Sequence, residues 1–265
     1  MCRHLAYVGP SVTLASLVLE PVHSLLHQSY APADMRGGGT INADGFGAGW
    51  YPEPGGPAAR YRSARPMWSD TAFAAVAATT RSGGVLAAAR SATAGMPVVE
   101  TAAAPFAEGR WLFSHNGVVR GWPGAVAALA AELPVTDLVT LDAPTDSALL
   151  WALVRHRLRA GAEPGAALAD VVRRVAAAAP GSRLNLLLTD GTGIWATAFD
   201  HALAVRTDER SALVASEPLD PDPGWRPVPD RHLLAAAPGT HRCTPLAVPT
   251  PDAPTRGAST TQGAR

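Results

Sequence analysis

Cys2 directly follows Met1, and a second residue with so small a side chain normally permits removal of the first. It would then hold a thiol and a free α-amine together, a nucleophile and a mild base in one residue. A threonine activated by an N-terminal amine is the hydroxyl counterpart. A small residue at a strand edge is the simpler account of Cys2 from position alone, which is suggestive and insufficient. A second group, Ser114-His115-Asn116-Gly117, comes just after an apolar strand. An Asn amide and the following Gly N–H can both point at one oxygen there, as an oxyanion hole requires. Asn-Gly is also the commonest two-residue hairpin signal, and read alone the turn is the simpler account.

Three more groups invite a chemical reading. Arg90-Ser91-Ala92-Thr93-Ala94-Gly95 again follows an apolar strand. A guanidinium emerging there is expensive to bury unpaired and its fork suits a carboxylate, which an internal Asp or Glu could supply as readily as a ligand. Thr145-Asp146-Ser147 opens a helix. Helix N-terminal N–H groups keep a carboxylate ionised and able to hold an ammonium group, although a plain N-cap uses the same residues. The stretch 42–51 is Gly-rich but fails the dinucleotide fingerprint, because Trp50 stands where the third glycine should be. Asp44-Gly45 more simply turns the chain, and the glycines let backbones pack closely. His23 and His27 lie one helical turn apart, with no carboxylate or Cys to complete a metal set. They read as packing or surface histidines, and no metal or cofactor is expected.

The background sharpens some of these choices. The 265 residues carry 22 basic and 22 acidic side chains, and every basic one is arginine. Without lysine there is no Schiff-base amine, no pyridoxal-phosphate anchor and no Walker lysine. Zero net charge argues against a nucleic-acid or acidic-membrane surface, both of which demand a basic excess. An apolar fraction of 47% against 17% charged suffices for a large globular core. Two cysteines make no disulfide framework, no export signal is legible, and the apolar stretch 12–19 is too short to span a bilayer, so a cytoplasmic location is expected. In a chain with three asparagines, Asn42, Asn116 and Asn185 each stand out.

The elements that must position these residues follow from periodicity. Strands are expected at 3–9, 85–89 and 111–114, with a hairpin pairing 46–51 and 60–63 around Pro54-Gly55-Gly56-Pro57. Ser11 is a plausible cap for a helix through Leu19, and Pro21 fits the start of a second helical stretch carrying Val22, Leu25 and Leu26. A Gly-rich loop covers 37–39, Asp70 caps an Ala-rich helix to Thr80, and a short helix is expected around 126–133. Asp146 opens a helix with Leu149, Leu150, Leu153, Val154 and Leu158 on one face, and another follows Pro164 with Leu168, Val171, Val172 and Val175 in register. The period then changes to two, giving strands at 184–188, 194–199, 202–205 and 212–215. Strands, then helices, then strands predict stacked sheets with helices and no repeated βαβ unit. The tail 247–265, poor in apolar residues, is expected to be disordered.

Taken in order, Cys2, 42–51, 90–95, His115-Asn116-Gly117 and Thr145-Asp146 resemble the class II glutamine amidotransferases of the N-terminal-nucleophile hydrolase superfamily. Met-Cys-Arg-His at 1–4, Gln-Ser-Tyr-Ala-Pro at 28–32, Ala-Pro-Phe at 104–106, Ser-Glu-Pro at 216–218, Asp222-Pro223-Gly224-Trp225 and Pro229-Asp230-Arg231-His232 narrow the likeness. They resemble the γ-glutamyl amidohydrolases of ergothioneine biosynthesis, which act on a hercynylcysteine sulfoxide conjugate. The likeness covers 1–246, expected as one domain, with no departure at the catalytic positions.

The resemblance implies an α+β fold, a four-layer αββα sandwich, and cleavage of a γ-glutamyl amide in a small molecule. It implies Cys2 as nucleophile with its own α-amine as base, and Asn116 with Gly117 as oxyanion hole. Arg90 would bind the glutamyl α-carboxylate and Asp146 its α-ammonium, with Thr93 nearby. Beyond 246 only the tail remains and no ammonia-accepting domain, so free hydrolysis is expected rather than transfer, unless a partner subunit intervenes. The leaving group it implies carries a trimethylammonium and an imidazole, for which Trp50, Tyr51, Trp68 and Trp225 are candidate aromatic walls.

Overall fold

Residues 5–8 are apolar on both faces of an alternating strand, and all of residues 3–8 are buried, Arg3 and His4 included. A computed structural model of the chain describes residues 2–36 and 41–247. The expected loop at 37–39 and the tail from 248 lie outside those residues. The first strand is β1 (Arg3–Thr13), followed by short helices α1 (Ala15–Val18) and α2 (Leu25–Gln28). Then come β2 (Phe46–Trp50), β3 (Ala59–Ser63), α3 (Thr71–Thr79), β4 (Arg81–Ala89), β5 (Phe106–Glu108) and β6 (Trp111–Val118). A helical block contains α4 (Ala127–Ala130), α5 (Val135–Val139), α6 (Asp146–Arg159) and α7 (Pro164–Ala178). The chain closes with β7 (Arg183–Thr189), β8 (Ile194–Ala198), β9 (Ala204–Thr207), β10 (Ala212–Ala215), β11 (Arg226–Pro227), β12 (His232–Ala237) and β13 (Thr240–Pro245).

The strands form two antiparallel sheets. One has the order β11-β9-β10-β1-β4-β2-β3 and the other β13-β12-β8-β7-β6-β5. Ala6, Val8, Leu86 and Val214 of the first meet Leu112, Leu187, Ala196 and Leu234 of the second, forming the core between the sheets. The opposite face of the first sheet packs Leu5, Tyr7, Val85 and Leu213 against Leu17, Val18, Leu25 and Phe73 of the first three helices. The outer face of the second sheet packs Phe113, Leu186 and Leu188 against Leu150, Trp151, Leu168 and Val172 of α6 and α7. The result is the expected αββα sandwich.

Three local expectations are corrected. Ser11 caps no helix, because β1 runs on to Thr13 through a register shift against β4 between Val8 and Val12. Pro21 does not open the second helix; Ser24 caps it, its Oγ accepting the His27 N–H at 3.2 Å. Asn116-Gly117 forms no turn, since both residues lie inside β6 and pair with Asn185 and Leu184 of β7. The capping role of Asp70, whose carboxylate accepts the Phe73 N–H at 3.0 Å, stands as read.

One end of the first sheet gathers the residues of interest. Arg3 pairs with Ala89 across β1 and β4, so Cys2 and Arg90 are neighbours just past the ladder. On the other flank Leu5 pairs with Ala215, which sets residues 216–218 beside the same chain end.

Candidate active site

Cys2 is half-buried at the start of β1, its Sγ 3.7 Å from the Ser91 carbonyl oxygen. Side-chain alternation along β1 turns His4, Ala6 and Val8 toward the second sheet, and Cys2 shares their parity. From that sheet comes Asn116, fully buried on β6. The two halves are joined by Ser216. Its Oγ accepts the His4 backbone N–H at 3.0 Å and an Asn116 side-chain N–H at 3.2 Å, while its own backbone N–H donates to the His4 carbonyl at 2.9 Å. Asn116 Nδ2 carries a second N–H beyond the one given to Ser216. Gly117 is required by packing as well, because a Cβ there would sit 1.9 Å from the Arg183 carbonyl oxygen.

Arg90 is buried, and its NH1 donates to the carbonyl oxygens of Asp44 at 3.2 Å and Pro97 at 3.0 Å. Among the described residues no carboxylate pairs with it, so the internal ion pair left open by the sequence is not formed. The nearby Asp44 carboxylate instead accepts the Ala92 N–H at 2.8 Å and shapes the 90–95 loop. That loop carries Thr93 to the rim of a cavity of about 430 Å³, which Val118, Val119 and Pro144 also border. Asp146 reaches the same wall. Its Oδ2 accepts the Val119 N–H at 3.0 Å and its Oδ1 the Ser147 N–H at 2.7 Å. The cap of α6 is Thr145, accepting from Ala148 at 3.2 Å, so Asp146 in the first turn is not spent on capping. His115 binds β6 to the same helix, its Nδ1 3.0 Å from Ser147 Oγ and its Nε2 3.0 Å from the Arg183 carbonyl.

Sequence reasoning gave no role to the side chains behind the thiol. Arg3 is fully buried, its NH1 donates to the Cys2 carbonyl at 3.1 Å, and its Nε lies 3.1 Å from Glu217 Oε1. Burial pulls its pKa below the ordinary arginine range against the opposing pull of Glu217. Glu217 also accepts the backbone N–H groups of Ala33 at 2.8 Å and Asp34 at 3.1 Å, and pairs with His23. His23 and His27, 3.1 Å apart at Nδ1, therefore serve this network, and among the described residues no group of three or more His, Cys, Asp or Glu is arranged to hold a metal. The quoted Ser-Glu-Pro at 216–218 was the available signal, but its role depends on β10 lying beside β1, which no local pattern announces.

The candidate aromatics separate. Trp50 pairs with Val85, itself opposite Tyr7, five residues along β1 from Cys2 and thus roughly 16 Å away. Tyr51 is anchored further along, its hydroxyl donating to the Arg110 carbonyl at 2.7 Å. Trp68 is exposed and edge-on to Tyr30. Trp225 borders a cavity shared with Ser216 and Glu217.

The fold is that of the class II glutamine amidotransferases: the profile of that family matches residues 20–207, and the chain belongs to it. The γ-glutamyl-hercynylcysteine sulfoxide hydrolase of Mycolicibacterium smegmatis is 43% identical over 247 residues, 93% of this chain and 100% of the relative. The glutamine aminotransferase class-II domain protein of Silicibacter pomeroyi superposes with a TM-score of 0.67 at 25% identity, over 93% of this chain and all of the other. The glutamine phosphoribosylpyrophosphate amidotransferase of B. subtilis matches 93% of this chain with 49% of its own, at a TM-score of 0.60 and 12% identity, a likeness of fold. No helix among the described residues is long and apolar enough to cross a membrane.

Proposed function

We propose that this protein hydrolyses the γ-glutamyl amide of γ-glutamyl-hercynylcysteine sulfoxide, releasing glutamate and the hercynylcysteine sulfoxide amine. The observation that carries the reading is the meeting, at one end of the sandwich, of Cys2, Asn116-Gly117 and a buried Arg90 with no carboxylate partner among the described residues. The substrate comes from the name of the mycobacterial relative at 43% identity.

With Met1 removed, the Cys2 α-amine takes the thiol proton and the thiolate attacks the γ-carbonyl carbon. The carbonyl electron pair moves to oxygen, and the oxyanion is held by an Asn116 side-chain N–H and the Gly117 backbone N–H; losing one such donor typically costs about 3 kcal/mol of barrier. Collapse breaks the C–N bond, and the ammonium proton passes to the departing amine. Water, deprotonated by the same α-amine, then cleaves the γ-glutamyl thioester to glutamate and regenerates the thiol. Arg90 holds the α-carboxylate of the glutamyl group and Asp146 its α-ammonium across the recess bordered by Thr93. Zero net charge suits a small zwitterion better than a polyanion, and two free cysteines suit a cytoplasmic location.

Glutamate release from the conjugate, compared in wild type and Cys2→Ala, tests the reading. Wild type is expected to turn over and the variant to lose at least about a thousandfold; full activity in Cys2→Ala refutes the mechanism. A higher kcat/KM for free glutamine than for the conjugate would make the protein a glutaminase instead.

A further inference from the structure

Two cavities lie at the end of the sandwich where β1 begins, one on its β4 flank and one on its β10 flank. One is the recess bordered by Thr93, Val118 and Val119, beyond β4. The other, of about 680 Å³, lies at the ends of β9 and β10 and is bordered by Asp34, Leu203, Ser216, Glu217, Trp225 and Arg226. Strand order sets their succession: cavity, Cys2 and Arg90 follow one another along β9, β10, β1 and β4. The cavity wall is also bonded to both halves of the candidate centre. Ser216 holds Asn116 and the backbone of His4, and Arg3 donates both to the Cys2 carbonyl and to the Asp34 carbonyl.

Its chemistry is amphoteric. Trp225 and the prolines 218, 221 and 227 give an apolar lining. The carboxylates at its edge are occupied: Glu217 by Arg3 and His23, Asp34 by Arg36, and Asp220 by Arg206 and the Trp225 N–H. Arg226 differs. Its guanidinium is exposed and donates to the backbone carbonyls of Pro223 and Trp225, with no carboxylate partner among the described residues. A volume of about 680 Å³ falls within the range of small-molecule pockets, about 300–1,000 Å³. Ammonia, the amine that glutamine would release, is about the size of one water and needs no such space.

We propose that this cavity binds the leaving-group half of a γ-glutamyl amide, an amine that carries an aromatic ring, a quaternary ammonium and carboxylates, with Arg226 holding a carboxylate and Trp225 and the prolines flanking the ring. The scissile bond would then lie over Cys2, with the glutamyl group on the β4 side and the amine on the β10 side. This rests on the hydrolase reading above and adds to it the site that distinguishes the conjugate from glutamine.

The test uses wild type, Arg226→Ala and Ala33→Phe, the last placing a ring on the exposed rim of the cavity. KM for the conjugate is measured beside the inhibition constant of L-glutamate, which occupies the other recess. Both variants are expected to raise KM about tenfold while the inhibition constant stays within about twofold. An unchanged KM in both overturns the subsite, and so does a parallel rise in both constants, which marks general damage. Wild type that releases no glutamate from the conjugate overturns the hydrolase reading itself and the subsite with it, whereas normal wild-type turnover with unaffected variants leaves that reading standing and removes the subsite alone.

Discussion

Arg90 concentrates the chemistry of the site in one side chain. A buried guanidinium without a counter-charge is held at a cost, here offset in part by two backbone carbonyls. On the proposed function, the α-carboxylate of the substrate completes it. Arg90→Ala should therefore lower kcat/KM at least about a hundredfold, roughly 2.7 kcal/mol, while costing only about 1–2 kcal/mol of stability. Steady-state kinetics alongside thermal denaturation separates these effects; a fall in Tm beyond about 10 °C with full activity in the folded fraction would make Arg90 structural. Both readings of Arg90 were visible in the sequence, and what decides between them is that the nearby Asp44 carboxylate is taken by the Ala92 N–H and that none pairs with Arg90 among the described residues, a property of the folded neighbourhood. Asn185 illustrates the reverse. Its rarity drew attention, but its Oδ1 accepts the Phe199 N–H at 2.7 Å and its Nδ2 donates to the Ala202 carbonyl at 2.9 Å, which fixes the turn after β8.

Among the elements, α6 shows how a local signal carries into the site. Thr145 caps it, and the residue after the cap delivers its carboxylate to the β6 exit strand at Val119. Thr145→Ala removes the cap bond, about 1 kcal/mol, so Tm should drop by about 2–4 °C. Because Asp146 loses its fixed approach, KM for the substrate should rise while kcat changes less; an unchanged KM would separate the helix start from substrate binding. This helix was legible because its cap, its apolar stripe and its length agree. The same was true of the hairpin β2–β3 and of β7, β8 and β10. Ser11 misled because a good cap residue there sits in a strand whose pairing with β4 continues through Thr13. Asn116-Gly117 misled for a related reason: a strong turn signal yields when β7 supplies pairing along the whole of β6. Strands β12 and β13 went unread, since His232 and Thr240 begin runs with little apolar alternation and the pairing partner, β8, lies far away in sequence.

For the whole molecule, the two stacked sheets bury a histidine between them. His4 Nδ1 lies 3.2 Å from Ser114 Oγ of the facing sheet. Burial, with nearby His115, His201 and Arg3, pushes its pKa from 6.5 down to about 3. His201 is likewise held down, to about 4, chiefly by burial. Both are neutral in the folded state and protonate more readily in the unfolded one, so the unfolded chain binds more protons between about pH 3 and 6.5 and stability must fall as pH drops through that window. His4 alone should remove roughly 2 kcal/mol between pH 7 and pH 5. Calorimetric Tm at these two pH values checks it, with His4→Asn expected to flatten the slope; a Tm constant from pH 7 to pH 5 in wild type would contradict the burial of a neutral ring.

The Ser216 hydroxyl, which accepts from the His4 backbone and from the Asn116 amide, makes the active end of the sandwich behave differently from its core. Over most of their area the sheets touch through apolar side chains, whose contacts have no preferred direction and let one layer slide slightly over the other. At Ser216 two directional bonds converge on one oxygen, so a small shear of the layers must either carry the thiol-bearing strand and the Asn116 amide along together or break a bond. The separation of the proposed nucleophile and oxyanion donor is thus insulated from the breathing of the sandwich, because the bonds at Ser216 tie both to one oxygen.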